Sequence, residues 1–98
     1  MNKPTHEQQR EFWELCGFRY IPEWKTCWQS PKGSNSYNLP QLSLHNLFKY
    51  AKDMFVKRGW STSWFDLLSQ WVTYMFNNQD KDPAIALFWA VYPILKEE

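Results

Sequence analysis

Trp64-Phe65-Asp66-Leu67-Leu68-Ser69-Gln70-Trp71-Val72-Thr73-Tyr74-Met75-Phe76-Asn77 is the stretch on which the architecture turns. Trp64, Leu67, Leu68, Trp71 and Met75 recur at helical spacing. Val72-Thr73-Tyr74-Met75-Phe76, by contrast, is a run of β-favouring residues, and Asn77-Asn78 behind it signals a turn. Spacing argues for a helix. Residue type argues for a strand over 71–77, with a second over about 62–68. On the residues alone the two readings stand even.

The neighbouring stretch on the C-terminal side is unambiguous. Residues 82–95, Asp82-Pro83-Ala84-Ile85-Ala86-Leu87-Phe88-Trp89-Ala90-Val91-Tyr92-Pro93-Ile94-Leu95, form the most apolar run in the chain. Asp82 is suited to cap a helix, because its carboxylate can accept from free N–H groups of the first turn. Pro83 fits the first helical position. A helix apolar all round is buried on most sides. The run falls well short of the roughly 20 residues needed to span a bilayer. It reads as a core helix lying on a small sheet.

On the N-terminal side, Leu44, Leu47, Phe48, Ala51, Met54 and Phe55 trace one face of a helix over 43–58, with Ser43 as its cap. Lys57 and Arg58 suit its negative end. Gly59 stops it, and Trp60 is placed to fold back onto Phe55. Thr5-His6-Glu7-Gln8 is a capping box that opens a helix over 6–16. Its apolar face is Phe12, Trp13, Leu15 and Cys16. Gly17 ends it, with Phe18 positioned to fold onto Trp13. Between these helices lies extended chain. A strand is expected near 24–29, a tight turn at Ser30-Pro31-Lys32-Gly33, and an extended piece over 35–39.

Three of these stretches resemble small bacteriophage-encoded proteins with a phage ABA sandwich domain. They are Glu11-Phe12-Trp13-Glu14-Leu15-Cys16-Gly17-Phe18, then Leu42-Ser43-Leu44-His45-Asn46-Leu47-Phe48-Lys49-Tyr50-Ala51. The third and most specific is Asp80-Lys81-Asp82-Pro83-Ala84-Ile85-Ala86-Leu87-Phe88-Trp89-Ala90. The resemblance implies a small sheet held between helices, and so tips 62–68 and 71–77 towards strands. The expected fold is therefore α+β. It is a single domain over 1–98, with a small antiparallel sheet sandwiched between helices at about 6–16, 43–58 and 83–95. The family offers no catalytic residue set to transfer.

Composition narrows the function. Nineteen of the 98 residues are aromatic, among them seven tryptophans. That exceeds what so small a core ordinarily requires, and spare rings suit a ligand or a second chain. The net charge of +1 excludes an acidic nucleic-acid mimic and a strongly basic binder of duplex nucleic acid. Residues 1–60 carry nine Lys/Arg against five Asp/Glu, and residues 61–98 two against five, so the front half is mildly basic.

No motif carries catalysis. His6 and His45 each fall in the first turn of a surface helix, and no glycine-rich phosphate loop is present. Cys16 lies on a buried face, where a thiol behaves as a small hydrophobe. Cys16, Cys27, His6 and His45 lack the paired spacing of a metal site. No secretory signal is evident, which points to a reducing cytoplasm and two thiols.

Binding is better supported. Trp24, Lys25, Trp28, Lys32 and Tyr37 crowd the turn region, and Arg58 and Trp60 follow at the end of the second helix. Rings that stack on bases beside cations that meet phosphates suit a small nucleotide-like ligand. The plainer alternative is that these tryptophans cover the sheet edge.

These readings point to a non-enzymatic phage accessory protein without cofactor or metal. It would counter host defence in the host bacterial cytoplasm by sequestering a nucleotide-like immune signal, as a homo-oligomer. The alternative is a protein–protein inhibitor of a host defence enzyme, acting through an aromatic surface patch.

Overall fold

The computed structural model describes residues 2–23, 27–59 and 61–96, without the side chains of 61–63. The fold is α+β. Helix α1 (His6–Leu15) leads into strands β1 (Arg19–Tyr20), β2 (Trp28–Gln29) and β3 (Asn35–Ser36). Helix α2 (Leu44–Asn46), a π-helical segment (Leu47–Ala51) and α3 (Lys52–Lys57) then run on as one rod. Helices α4 (Ser61–Asn77) and α5 (Pro83–Lys96) complete the order.

Local chemistry sets each boundary. Thr5 accepts from the Gln8 N–H at 3.1 Å, and the Gln8 side chain accepts from the Thr5 N–H at 2.9 Å, which closes the expected capping box. At the other end of α1 the Gly17 N–H donates to Glu14 O and the Phe18 N–H to Trp13 O, each at 3.0 Å. This is a Schellman cap, and it lays the Phe18 ring against Trp13 with centroids 5.8 Å apart. Asp82 Oδ1 caps α5 by accepting from the N–H groups of Ala84 (2.8 Å) and Ile85 (3.2 Å). The expected clamp of Trp60 on Phe55 lies outside the described residues.

The sheet is antiparallel in the order β1-β2-β3, with Tyr20 opposite Trp28 and Trp28 opposite Ser36. The turn at Ser30–Gly33 closes as expected, the Gly33 N–H donating to Ser30 O at 2.9 Å. Strand β1 was not expected. Its pairing with β2 is extended by the Ile21 N–H, which donates to Cys27 O. Cys27 accommodates this with a positive φ of 66°.

The strands expected over 62–68 and 71–77 are not formed, since both segments lie within the 17 residues of α4. As a helix, this stretch sinks Trp64 (3% exposed) and Leu67 (5%) into the core and sets Trp71 half-buried against it. Two short strands would have turned every second residue outward and lost that stripe. Burial of the period-matched residues outweighs the β preference of Val72 and Phe76, which remain in solvent. Residues 82–95 also rest on a different floor from the expected sheet. Helix α5 packs against α1, α2, the π-helical segment and α4, and it buries Ala84, Ala86, Leu87, Phe88, Val91, Tyr92 and Leu95. The small alanines let these helices approach closely.

The rod at 44–57 widens at its middle. The Lys52 N–H donates to Leu47 O, five residues back. Such wide turns occur mostly singly inside α-helices, often beside functional sites. Phe48 and Tyr50 pack against the core here alongside the buried Leu47 and Ala51.

Candidate functional site

The cleft that gathers the most chemistry lies between the Ser30–Gly33 turn and the rod. It has a volume of about 220 Å³. Pro31 and Lys32 come from the turn. Tyr50 is supplied by the π-helical segment. Asp53, Met54 and Lys57 come from α3, and Cys16 from the end of α1. The turn is held against α1 at Gly17, where a Cβ would come within 3.0 Å of Pro31 Cβ. Gly17 therefore serves twice: as a helix stop with φ 107° and as a seat for the turn.

The electrostatics of the cleft are mixed. Lys32 Nζ meets Asp53 Oδ2 at 3.4 Å, and both side chains are about half exposed. A pair so placed contributes little to stability. Lys57 adds a second ammonium at the rim. Burial pushes the Cys16 thiol up to about 12, against an opposing pull from the Arg58 guanidinium. Cys16 is therefore an unreactive thiol at neutral pH. What the cleft offers chemically is a phenol ring, a thioether, the Lys57 ammonium and a Lys32–Asp53 ion pair. This set suits a small anion with a planar group only where the anion takes Asp53's place on Lys32.

The residues singled out in the sequence are distributed as follows. Lys32 lines the cleft. Arg58 lies close enough for its charge to act on Cys16 at the cleft wall. Trp28 is half-buried on the sheet, 5.2 Å from the Tyr20 ring, and the Arg10 guanidinium lies over both rings at 5.3 and 5.5 Å. Tyr37 stands 68% exposed. Neither Trp28 nor Tyr37 lines the cleft. Trp24, Lys25 and Trp60 lie outside the described residues. Sequence reasoning missed Tyr50, Asp53, Met54 and Lys57 as cleft residues. Lys57 was visible only as a helix-end charge, and the widened turn in which Tyr50 sits leaves no local signature.

Of the described rings, Tyr20, Tyr37, Phe65 and Phe76 are exposed, so the interior does not absorb every aromatic. Among the described residues no cluster of His, Cys, Asp and Glu could hold a metal ion. Among them, too, no helix is long and apolar enough to cross a membrane.

The chain matches no family model, no curated protein and no solved structure. The resemblance to phage ABA sandwich proteins therefore rests on the three quoted stretches alone.

Proposed function

We propose that this chain is a non-enzymatic binding protein that holds a small nucleotide-like anion in the cleft between the Ser30–Gly33 turn and α3. One observation carries the reading: Lys32 and Lys57 share the rim of a cleft that also presents the Tyr50 ring. Lys57, and Lys32 on exchanging its Asp53 partner, would meet a phosphate, and the phenol would meet a base or another planar group. At about 220 Å³ the cleft is smaller than the roughly 300–1,000 Å³ of most small-molecule sites. It holds one end of such a ligand. The setting we propose, a phage accessory protein that sequesters an immune signal in the host cytoplasm, draws on the resemblance.

The test is direct. Protein purified from defence-activated cells is heat-denatured, and the supernatant is analysed by mass spectrometry. Sequestration returns intact ligand, whereas turnover returns product. In titrations with a panel of mononucleotides and cyclic dinucleotides, Lys32→Ala/Lys57→Ala weakens binding at least about tenfold, a loss of some 1.4 kcal/mol. Its circular dichroism matches that of the parent. Equal affinity in the double variant, or no nucleotide bound at all, overturns the assignment.

The second reading, an inhibitor that docks on a host enzyme, draws on the exposed rings. It predicts co-purification with a host protein and indifference to the same nucleotide panel.

A further inference from the structure

Helix α4 is apolar on two sides. Its inner stripe, Trp64, Leu67 and Trp71, faces the core. Its outer side carries Phe65, Val72 and Phe76, which are 68%, 57% and 75% exposed. With the exposed Ser69 these positions follow steps of four, three and four residues, which is the a/d seam of a coiled coil. Among the described residues of one copy, nothing covers this seam.

We propose that the seam is the contact between two copies of this chain, packed α4 against α4 in antiparallel fashion about a twofold axis. The spacing suits a second copy, because four-three-four reads the same in both directions. Phe65 and Phe76 are equidistant from the point between Gln70 and Trp71, and so are Ser69 and Val72. A twofold axis through that point sets each Phe65 against the partner's Phe76 and each Ser69 against the partner's Val72. Ring meets ring, and a small residue meets a branched one, which lets the two helices interlock.

Charge agrees with this choice. Asp66 is the only charged residue in α4, and no cation is present, so the face offers nothing to select a charged foreign surface. In the antiparallel pair the flanking Asp66 falls near the partner's Thr73, so the two carboxylates do not oppose each other.

Area sets the strength. An aromatic side chain covers about 150–250 Å². At the exposures given, Phe65 and Phe76 leave on the order of 300 Å² open per copy. Two copies thus hide about 600 Å² from these rings. Val72, Leu68, Met75 and the polar rim bring the pair towards the roughly 1,200 Å² at which specific interfaces begin. An interface of this size is at the small end for a specific contact, so the dimer is expected to be reversible.

Sedimentation equilibrium on the full chain up to about 500 µM tests this, since mass action fills a weak dimer only at high concentration. The parent is expected to dimerise and Val72→Glu to stay monomeric with unchanged circular dichroism, since Val72 lies in solvent. Direction is tested by mild oxidation of single variants. Ser69→Cys mixed with Val72→Cys should cross-link more than either variant alone, with the bond mapped by peptide mass. A parent that stays monomeric, a dimer that survives Val72→Glu, or equal cross-linking in all three samples overturns the proposal. A monomer that instead retains a foreign protein through this face overturns it as well.

Discussion

Gly17 shows how much one position can decide. Its φ of 107° lies in the left-handed region, where a side chain is strained, and an added Cβ would lie only 3.0 Å from Pro31 Cβ, so the turn would have to give way. Gly17→Ala is expected to destabilise the fold by about 1–3 kcal/mol, measured by urea denaturation. An unshifted midpoint would show that the turn yields freely. Gly17 was legible as a helix stop because its signal is local: an amphipathic run, a glycine and an aromatic clamp. Its contact with Pro31 was not legible, because nothing in the spacing tells which loop returns to that cap. The same holds for Lys32 and Asp53, which pair across more than one element. Thr5 and Gln8, three residues apart, were readable at once.

Helices differ in how plainly they announce themselves. Helix α5 is marked by Asp82 and Pro83 at its start and by continuous apolar residues after them. Asp82→Ala removes the acceptor for two N–H groups and should lower stability by about 1 kcal/mol, with Asp82→Asn retaining most of it. Because α5 supplies the centre of the core, the loss is expected in the global thermal transition rather than as fraying at one end. A local change in amide exchange at Ala84 and Ile85 alone would contradict this. Helix α4 was misread. Residue type at 72–76 competed with the period of Trp64, Leu67 and Trp71, and an inferred sheet tipped the balance. Burial decided otherwise. The outer residues Val72 and Phe76, which suggested a strand, are the ones that the core does not use. The sheet was only half legible, because strands of two residues carry too little pattern to register.

At the scale of the whole molecule, α1 and α5 are fastened by a polar clamp. The Tyr92 hydroxyl donates to Glu11 Oε1, and Lys96 Nζ lies 3.5 Å from the same oxygen. Trp89 Nε1 donates to Asn2 O at 2.7 Å nearby. The Tyr92 hydrogen bond, with help from Lys96, holds the Glu11 carboxyl below its ordinary 4.5. The unfolded chain therefore takes up a proton more readily than the folded one, and stability falls as pH drops from 4.5 through that lowered value. Burial first, and then Glu11, raises Tyr92 above 10.0, while Glu11 raises Lys96 above 10.5. Their contribution is full below pH 10 and is lost as pH rises through the raised values. Urea midpoints across pH should therefore decline on both flanks, and Glu11→Gln should flatten the acid flank but only lessen the alkaline one, because burial still raises Tyr92. A variant curve parallel to the parent's would remove the clamp from the account.

The widened turn at Leu47–Ala51 bears on how this chain tolerates changes of length. A π turn holds one residue more than an α turn that joins the same flanks. Deleting Lys49, an exposed residue, leaves a rod that can rewind as an unbroken α-helix with Leu44 and Phe55 still on the core side. A one-residue deletion in α4 or α5 has no such slack and rotates every following side chain by about 100°. Among single-codon deletions across the helices, the survivors should cluster at 47–51, with the orientation of Tyr50 as what they give up.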